Sequence, residues 1–257
     1  RPSEAIASYD LALALDAKNG EALMNRAKAL EESGRTGDAL AAYNALLAVN
    51  PQMTEAIFSR AFLLQKESRM DEALAGYNSV LAINPKHAEA LLNLGVIQQA
   101  RMQLPEALES YAAAIALKPR DIGGHVNLGN LLQQLRRYEA AVDSYNNALA
   151  INPDHVGALV YRGGAFHALN RIADAVADYD RAYALDPTYP NLAGLRLHLK
   201  MQSCDWCAWE DTGPLLEGLR AGRKVTSPFP LVALPATAKD QFLWPGNYAG
   251  DGSRPLP

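Results

Sequence analysis

Residues 197–211, LHLKMQSCDWCAWED, gather two cysteines, two tryptophans, a histidine and an acidic end within fifteen positions. Cys204 and Cys207 stand three apart and would share one face of a helix. A structural zinc site needs four ligands, and no second CxxC or HxxxH accompanies them, with only His198 nearby. A redox pair of the thioredoxin kind needs a strand leading into it, and none is read here. The pair is therefore expected to be packing thiols, with Trp206 and Trp209 as apolar cover over whatever precedes them. A nucleophilic role for Cys204, or a base role for His198, lacks an activating partner set. No catalytic residue and no metal ligand is expected.

What precedes this stretch is a 34-residue period. Ala5, Ala39, Ala73, Ala107, Ala141 and Ala175 keep this step, as do Tyr9, Tyr43, Tyr77, Tyr111, Tyr145 and Tyr179. Pro51, Pro85, Pro119, Pro153 and Pro187 follow it too. Three residue types in phase over five or six periods identify the pattern as similar to the tetratricopeptide repeat. The resemblance covers residues 1 to about 200 and implies an all-α, right-handed superhelix of helix–turn–helix units. Residues 20–53, 54–87, 88–121, 122–155 and 156–189 read as five whole repeats, and 1–19 as the second half of another. A half unit lacks the partner for its apolar face, so further repeats are expected upstream.

Taking residues 88–121 as the example, the first helix is expected from about Glu89 to Arg101 and the second from about Pro105 to Leu117. Counting slots from the first residue of each repeat, slot 8 is small: Ala27, Ala61, Gly95, Gly129 and Gly163. These should face the recurring alanine of the second helix and let the two backbones approach closely. The tyrosines should fill the gap to the neighbouring repeat, each hydroxyl near water or a backbone group. Each proline should end a second helix, lacking an amide hydrogen and biasing its predecessor away from helix.

First helices are expected to line the concave side of such a stack. Slots 2, 6, 9 and 13 lie three or four apart and form one stripe. It reads Glu21/Asn25/Lys28/Glu32, Glu55/Ser59/Phe62/Lys66, Glu89/Asn93/Val96/Ala100, Gly123/Asn127/Asn130/Gln134 and Gly157/Tyr161/Gly164/Ala168. Asparagine sits at slot 6 in three of five repeats, although it is a middling helix former. Its amide both donates and accepts, which suits the regular C=O and N–H groups of an extended peptide. The alternative is that these amides bond to the adjacent repeat or to water. The candidate peptide-binding residues are Asn25, Ser59, Asn93, Asn127, Asn130 and Tyr161. Slot 5 is apolar throughout (Met24, Phe58, Leu92, Val126, Val160) and is expected to pack between repeats, while His125 at slot 4 is expected in the core.

The register runs on through NLAGLRLHLK and then breaks, with Trp209 and Gly213 where alanine and tyrosine would fall. Seven of the 15 prolines lie in the last 44 residues. Residues 190–225 are read as capping and linker helices, one of them at about 205–221, and 226–257 as an extended proline-rich segment. The run from LxxHLKxxxCDWxxW to SPFPLVAL and KDQF, about residues 195–245, resembles the linker of bacterial O-GlcNAc-transferase-like, Spindly-type proteins. The matching positions are His198, Lys200, Cys204, Asp205, Trp206, Trp209, Ser227, Pro228 and Phe229. In that family the repeats lead into two Rossmann-like lobes that bind a UDP-sugar, and an asparagine ladder on the concave surface grips protein substrates. The resemblance implies that this chain recruits peptides, with the UDP-sugar bound only by a domain after Pro257. A free-standing adaptor or scaffold is the alternative.

Composition narrows the partners. The 257 residues are 49% hydrophobic and 20% charged with a net charge of −4, so no concentrated basic face awaits nucleic acid. No apolar run approaches the roughly 20 residues needed to span a bilayer, so no membrane partner is expected. Two cysteines do not make a disulfide framework, and the expected compartment is the cytoplasm. Protein segments in extended conformation remain the expected partners, with a homodimer through the convex repeat face as a further possibility.

Overall fold

The computed structural model describes residues 2–202 together with Glu217 and Ala221. The helix expected over about 205–221, the cysteine pair, the two tryptophans and the proline-rich segment lie outside the described residues. Within the described residues the chain is all-α, with twelve helices and no strand. It divides after Pro119 into two compact units. The first holds α1 (Pro2–Leu15), α2 (Gly20–Glu32), α3 (Thr36–Val49), α4 (Thr54–Lys66), α5 (Met70–Ile83), α6 (Ala88–Ala100) and α7 (Leu104–Leu117). The second holds α8 (Ile122–Gln134), α9 (Tyr138–Ile151), α10 (Val156–Ala168), α11 (Ile172–Leu185) and α12 (Leu192–Gln202). In each unit every helix packs on its neighbours in the chain, the two helices of one repeat most closely. The repeat pairs are α2–α3, α4–α5 and α6–α7 in the first unit, and α8–α9 and α10–α11 in the second.

Two turns make this geometry repeat. Inside each repeat, the residue after the first helix's C-cap takes a left-handed backbone: Gly34 (φ 74°), Ser68 (60°), Met102 (61°), Arg136 (57°) and Asn170 (58°). Backbone bonds such as Arg35 N–H to the Leu30 carbonyl and Arg69 N–H to Leu64 close this as a Schellman cap. Only the first repeat uses glycine there; the other four accept a strained side chain because the cap's hydrogen bonds hold it. Between repeats, the residue before proline is extended, as at Asn50 (ψ 87°), Asn84 (ψ 91°) and Asn152 (ψ 98°). The Asn84 and Asn152 carboxamides then accept from Lys86 N–H (3.1 Å) and Asp154 N–H (3.1 Å), an Asx turn.

The first helix of the third repeat starts at Ala88 and ends at Ala100, and the second starts at Leu104, each boundary one residue earlier than expected except for the shared end at Leu117. The recurring alanines Ala39, Ala73, Ala107, Ala141 and Ala175 are fully buried. Tyr43, Tyr77, Tyr111, Tyr145 and Tyr179 are no more than 3% exposed, as expected of core. His125 is also buried, and Met24, Val126 and Val160 at slot 5 with it.

Two packing expectations need correction. The slot 8 glycines do not chiefly face the alanine; they seat the tyrosine ring. A Cβ on Gly95 would lie 2.6 Å from the Tyr111 ring, on Gly129 2.4 Å from Tyr145, and on Gly163 2.5 Å from Tyr179. A ring needs more room than a methyl group, so glycine is required where the ring lies flat against the helix. The tyrosine hydroxyls, in turn, bond side chains rather than backbone. Tyr43 donates to Glu31 (3.2 Å), Tyr77 to Gln65 (2.7 Å), Tyr111 to Gln99 (2.9 Å) and Tyr145 to Gln133 (2.8 Å). Each acceptor stands at slot 12 of the same repeat, where a long polar side chain can reach the buried phenol.

A candidate peptide-binding surface on the first helices

α2, α4, α6, α8 and α10 begin 34 residues apart, so slots 2, 6, 9 and 13 take the same place on each. N-caps help to fix that register. Asn19 accepts from Ala22 N–H (2.9 Å), His87 Nδ1 from Ala90 N–H (3.2 Å), Asp121 from Gly124 N–H (2.9 Å) and His155 Nδ1 from Ala158 N–H (3.0 Å). Slot 2 is exposed in the first four repeats and half-buried at Gly157. Slot 6 is half-buried everywhere but Tyr161, which is 38% exposed.

In the first unit the stripe is charged, and one ion pair lies within it. Lys28 on α2 reaches Glu55 on α4 (2.6 Å), and Lys118 reaches Glu89 on α6. That hydrogen bond from Lys118 holds the Glu89 carboxyl below the ordinary carboxylate range. Phe58 lies 4.9 Å from the His87 ring and 5.8 Å from Tyr77, and Lys66 sits over Phe62 at 4.4 Å. Slot 6 is divided. Burial pushes the Tyr43 hydroxyl up to about 12, and a hydrogen bond from Ser59 partly offsets this. Burial likewise raises Tyr77, offset by a hydrogen bond from Asn93. Ser59 and Asn93 thus each donate to the tyrosine of the preceding repeat. Asn93 keeps its carbonyl oxygen for another partner, and Asn25 has no hydrogen-bond partner among the described residues.

In the second unit the stripe carries no charge: Gly123, Asn127, Asn130, Gln134, Gly157, Tyr161, Gly164 and Ala168. Asn127 has no hydrogen-bond partner among the described residues. Asn130 Oδ1, like Gln133 Oε1, lies 2.8 Å from the Tyr145 hydroxyl and shares its one hydrogen, which leaves the Asn130 amide hydrogens available. Tyr161 stands 6.2 Å from the Tyr145 ring, flanked on its own helix by Gly157 and Gly164. The Tyr189 hydroxyl, raised to about 12 by burial first and then by the bond it donates to Tyr161, completes this aromatic edge.

Two features escaped the sequence reading although their signals are periodic. One is slot 12, Glu31, Gln65, Gln99 and Gln133, whose role needs the tyrosine position in space. The other is slot 7, where Arg26, Arg60, Arg162 and Arg196 reach back 16 residues to Asp10, Asn44, Asn146 and Asp180. Arg162 also forks onto Asp178 through two bonds (2.8 and 2.6 Å), and Asp178 is only 6% exposed. This bidentate pair ties the two helices of the fifth repeat together.

No group of three or more histidine, cysteine or acidic side chains among the described residues is arranged to hold a metal. No helix among them is long and apolar enough to cross a membrane. His198 and Lys200 lie on α12, where Lys200 pairs with Asp180 (3.0 Å) and His198 contacts the Gln202 amide (3.0 Å).

The tetratricopeptide repeat family matches residues 1–56, 58–122 and 126–190. Solved structures share the fold at low identity. YrrB, described as a tetratricopeptide-repeat protein with an unusual peptide-binding site, is 19% identical over 75% of this chain and 97% of its own, with a TM-score of 0.62. PilF of Pseudomonas aeruginosa is 17% identical over 88% of this chain and 96% of its own, at 0.70. A tetratricopeptide repeat protein of Parabacteroides merdae is 17% identical over 94% of this chain and 91% of its own, at 0.67. No curated protein matches the sequence at a significant level. With three matched segments spanning well over half of its length, the chain belongs to the tetratricopeptide repeat family of protein-interaction modules.

Proposed function

We propose that the first-helix stripe binds extended peptide segments of partner proteins, through Asn25, Ser59 and Asn93 in the first unit and Asn127, Asn130 and Tyr161 in the second. The observation that carries this reading is the state of the amides. Asn25 and Asn127 are half-buried with no hydrogen bond among the described residues, and Asn93 and Asn130 each spend one side on a tyrosine and keep the other. Asparagine in a helix interior costs about 0.5 kcal/mol relative to alanine, so amides held there without an internal partner suit an external one. The peptide-binding site in the description of YrrB agrees with this reading.

Alanine at Asn127 is expected to weaken the binding of a blocked extended peptide while leaving the thermal midpoint unchanged or slightly raised. Alanine at Asn93 should weaken binding too but lower the midpoint slightly, because Tyr77 loses a donor. Isothermal titration with calorimetric melting reads both effects. Unchanged binding in both variants overturns the proposal.

A second reading makes these repeats the client-recruiting part of a protein O-glycosyltransferase. It is carried by the CDWxxW and SPFPLVAL segments of residues 195–245. Transfer from a UDP-sugar to a bound peptide by the full gene product would support it. A gene ending at Pro257 would favour a free-standing adaptor.

A further inference from the structure

Four of the five buried tyrosines in whole repeats end on a slot 12 side chain, and the fifth does not. In the fifth repeat slot 12 is His167, and the Tyr179 hydroxyl has no hydrogen-bond partner among the described residues although the residue is only 3% exposed. The Asp178 carboxylate next to it is turned to Arg162, which bonds both of its oxygens. Nor can the ring swing away: it is seated on Gly163, where a Cβ would come within 2.5 Å of it.

The hydroxyl instead points into the space above Gly164. A Cβ built there would lie 3.7 Å from the Tyr179 oxygen and 3.3 Å from Gln133 Nε2. The Gln133 amide is oriented by Tyr145, whose hydroxyl donates to Oε1 at 2.8 Å, so Nε2 turns the other way with hydrogens to give. Two donors from two helices thus converge over a residue without a side chain, beside the exposed ring of Tyr161.

We infer that the gap over Gly164 is a subsite for one main-chain carbonyl oxygen of a bound peptide, held by the Gln133 amide and the Tyr179 hydroxyl. This rests on the peptide-binding reading above and gives it a place in the second unit. A neutral carbonyl fits better than a carboxylate because no stripe residue of this unit is charged, and the nearby Arg162 is neutralised by Asp178. The flat flank of a peptide unit also suits the Tyr161 ring, whereas a free carboxylate offers no such face.

The test uses the whole chain with glutamine and asparagine side-chain amides labelled for NMR. The probe is acetyl-trialanine N-methylamide, a neutral backbone without side-chain information, with acetate as the carboxylate arm. The expected result is a saturable shift of the Gln133 amide with the blocked peptide and none with acetate. In Gly164→Ala, which fills the gap at a point with ordinary clearance to Tyr179, the shift should disappear while the protein stays folded. In Tyr179→Phe the affinity should fall about threefold to tenfold, the size of one net hydrogen bond. If Asn25, Asn127 or Asn130 respond and Gln133 does not, the subsite is overturned and the wider reading stands. If no stripe amide responds, both fall. A response of Gln133 to acetate alone replaces the carbonyl with a carboxylate and overturns the proposal.

Discussion

Each unit has its own first-helix stripe, and the two stripes are made of opposite materials. In the first, slots 2, 9 and 13 bring Glu21, Lys28, Glu32, Glu55, Lys66 and Glu89 onto the stripe, where Lys28 pairs with Glu55 and Glu89 with Lys118 beside it. In the second, glycine stands at slot 2 twice and at slot 9 once, and what remains is amide, hydroxyl and aromatic ring. A paired charge is already satisfied and is screened by salt, so it mainly selects against wrong partners. Bare backbone and unspent amides admit any extended chain. On the peptide-binding proposal, discrimination falls to the first unit and sequence-tolerant grip to the second.

The interior differs in the same sense. Every whole-repeat tyrosine of the first unit is tied to slot 12, whereas in the second Tyr145 is and Tyr179 has no hydrogen-bond partner among the described residues. The largest effect is expected where the second unit relies on a buried ion pair. Asp178→Ala leaves the Arg162 guanidinium with Asn146 alone and should lower unfolding free energy by about 3 kcal/mol in denaturant titration. In the first unit Asn44→Ala, which removes the partner of the half-buried Arg60, should cost under about 1 kcal/mol. Equal losses would remove the contrast.

Next in size is overpacking. Gly129→Ala drives a methyl group to 2.4 Å from the Tyr145 ring and should destabilise by about 2 kcal/mol despite the better helix propensity of alanine. Gly164→Ala meets only the end of the Gln133 side chain, at 3.3 Å, which can give by a few tenths of an ångström, so its cost should be much smaller by the same denaturant measurement. Smaller again is the hydroxyl series. Tyr145→Phe strands Gln133 and Asn130 and should cost about 1–2 kcal/mol, Tyr111→Phe about 1 kcal/mol, and Tyr179→Phe close to nothing. A clear loss in Tyr179→Phe would mean its hydroxyl is satisfied internally.

The smallest expected difference between the units is alkaline. Burial pushes Tyr43 and Tyr111 of the first unit and Tyr179 of the second up to about 12, above the ordinary value near 10. A phenol whose folded pKa is raised contributes stability that is complete below pH about 10 and is lost as the pH rises towards 12. Melting temperature should therefore be flat to about pH 10 and fall beyond it, in both units together. A decline that starts well below the ordinary tyrosine range would point to other groups.

Much of this was legible in the chain itself. Alanine, tyrosine and proline at a common step give helix pairs, their turns and their buried faces, because each residue type acts over one or two turns of backbone. The stripe was legible as an address. Which of its amides are engaged was not, since the bonds of Asn93 to Tyr77 and of Asn130 to Tyr145 come from side chains on other helices.

The sequence alone determined the all-α repeat architecture, its period and the burial of its tyrosines, since these follow from local periodicity. Only the tertiary structure decided that slot 8 seats a ring, that slot 12 receives the phenol, that Arg162 clasps Asp178, and that Tyr179 is left facing the gap over Gly164. Those are meetings of side chains 12 to 16 residues apart and on different helices. Their distances are set by how helices pack, which a one-dimensional pattern does not carry.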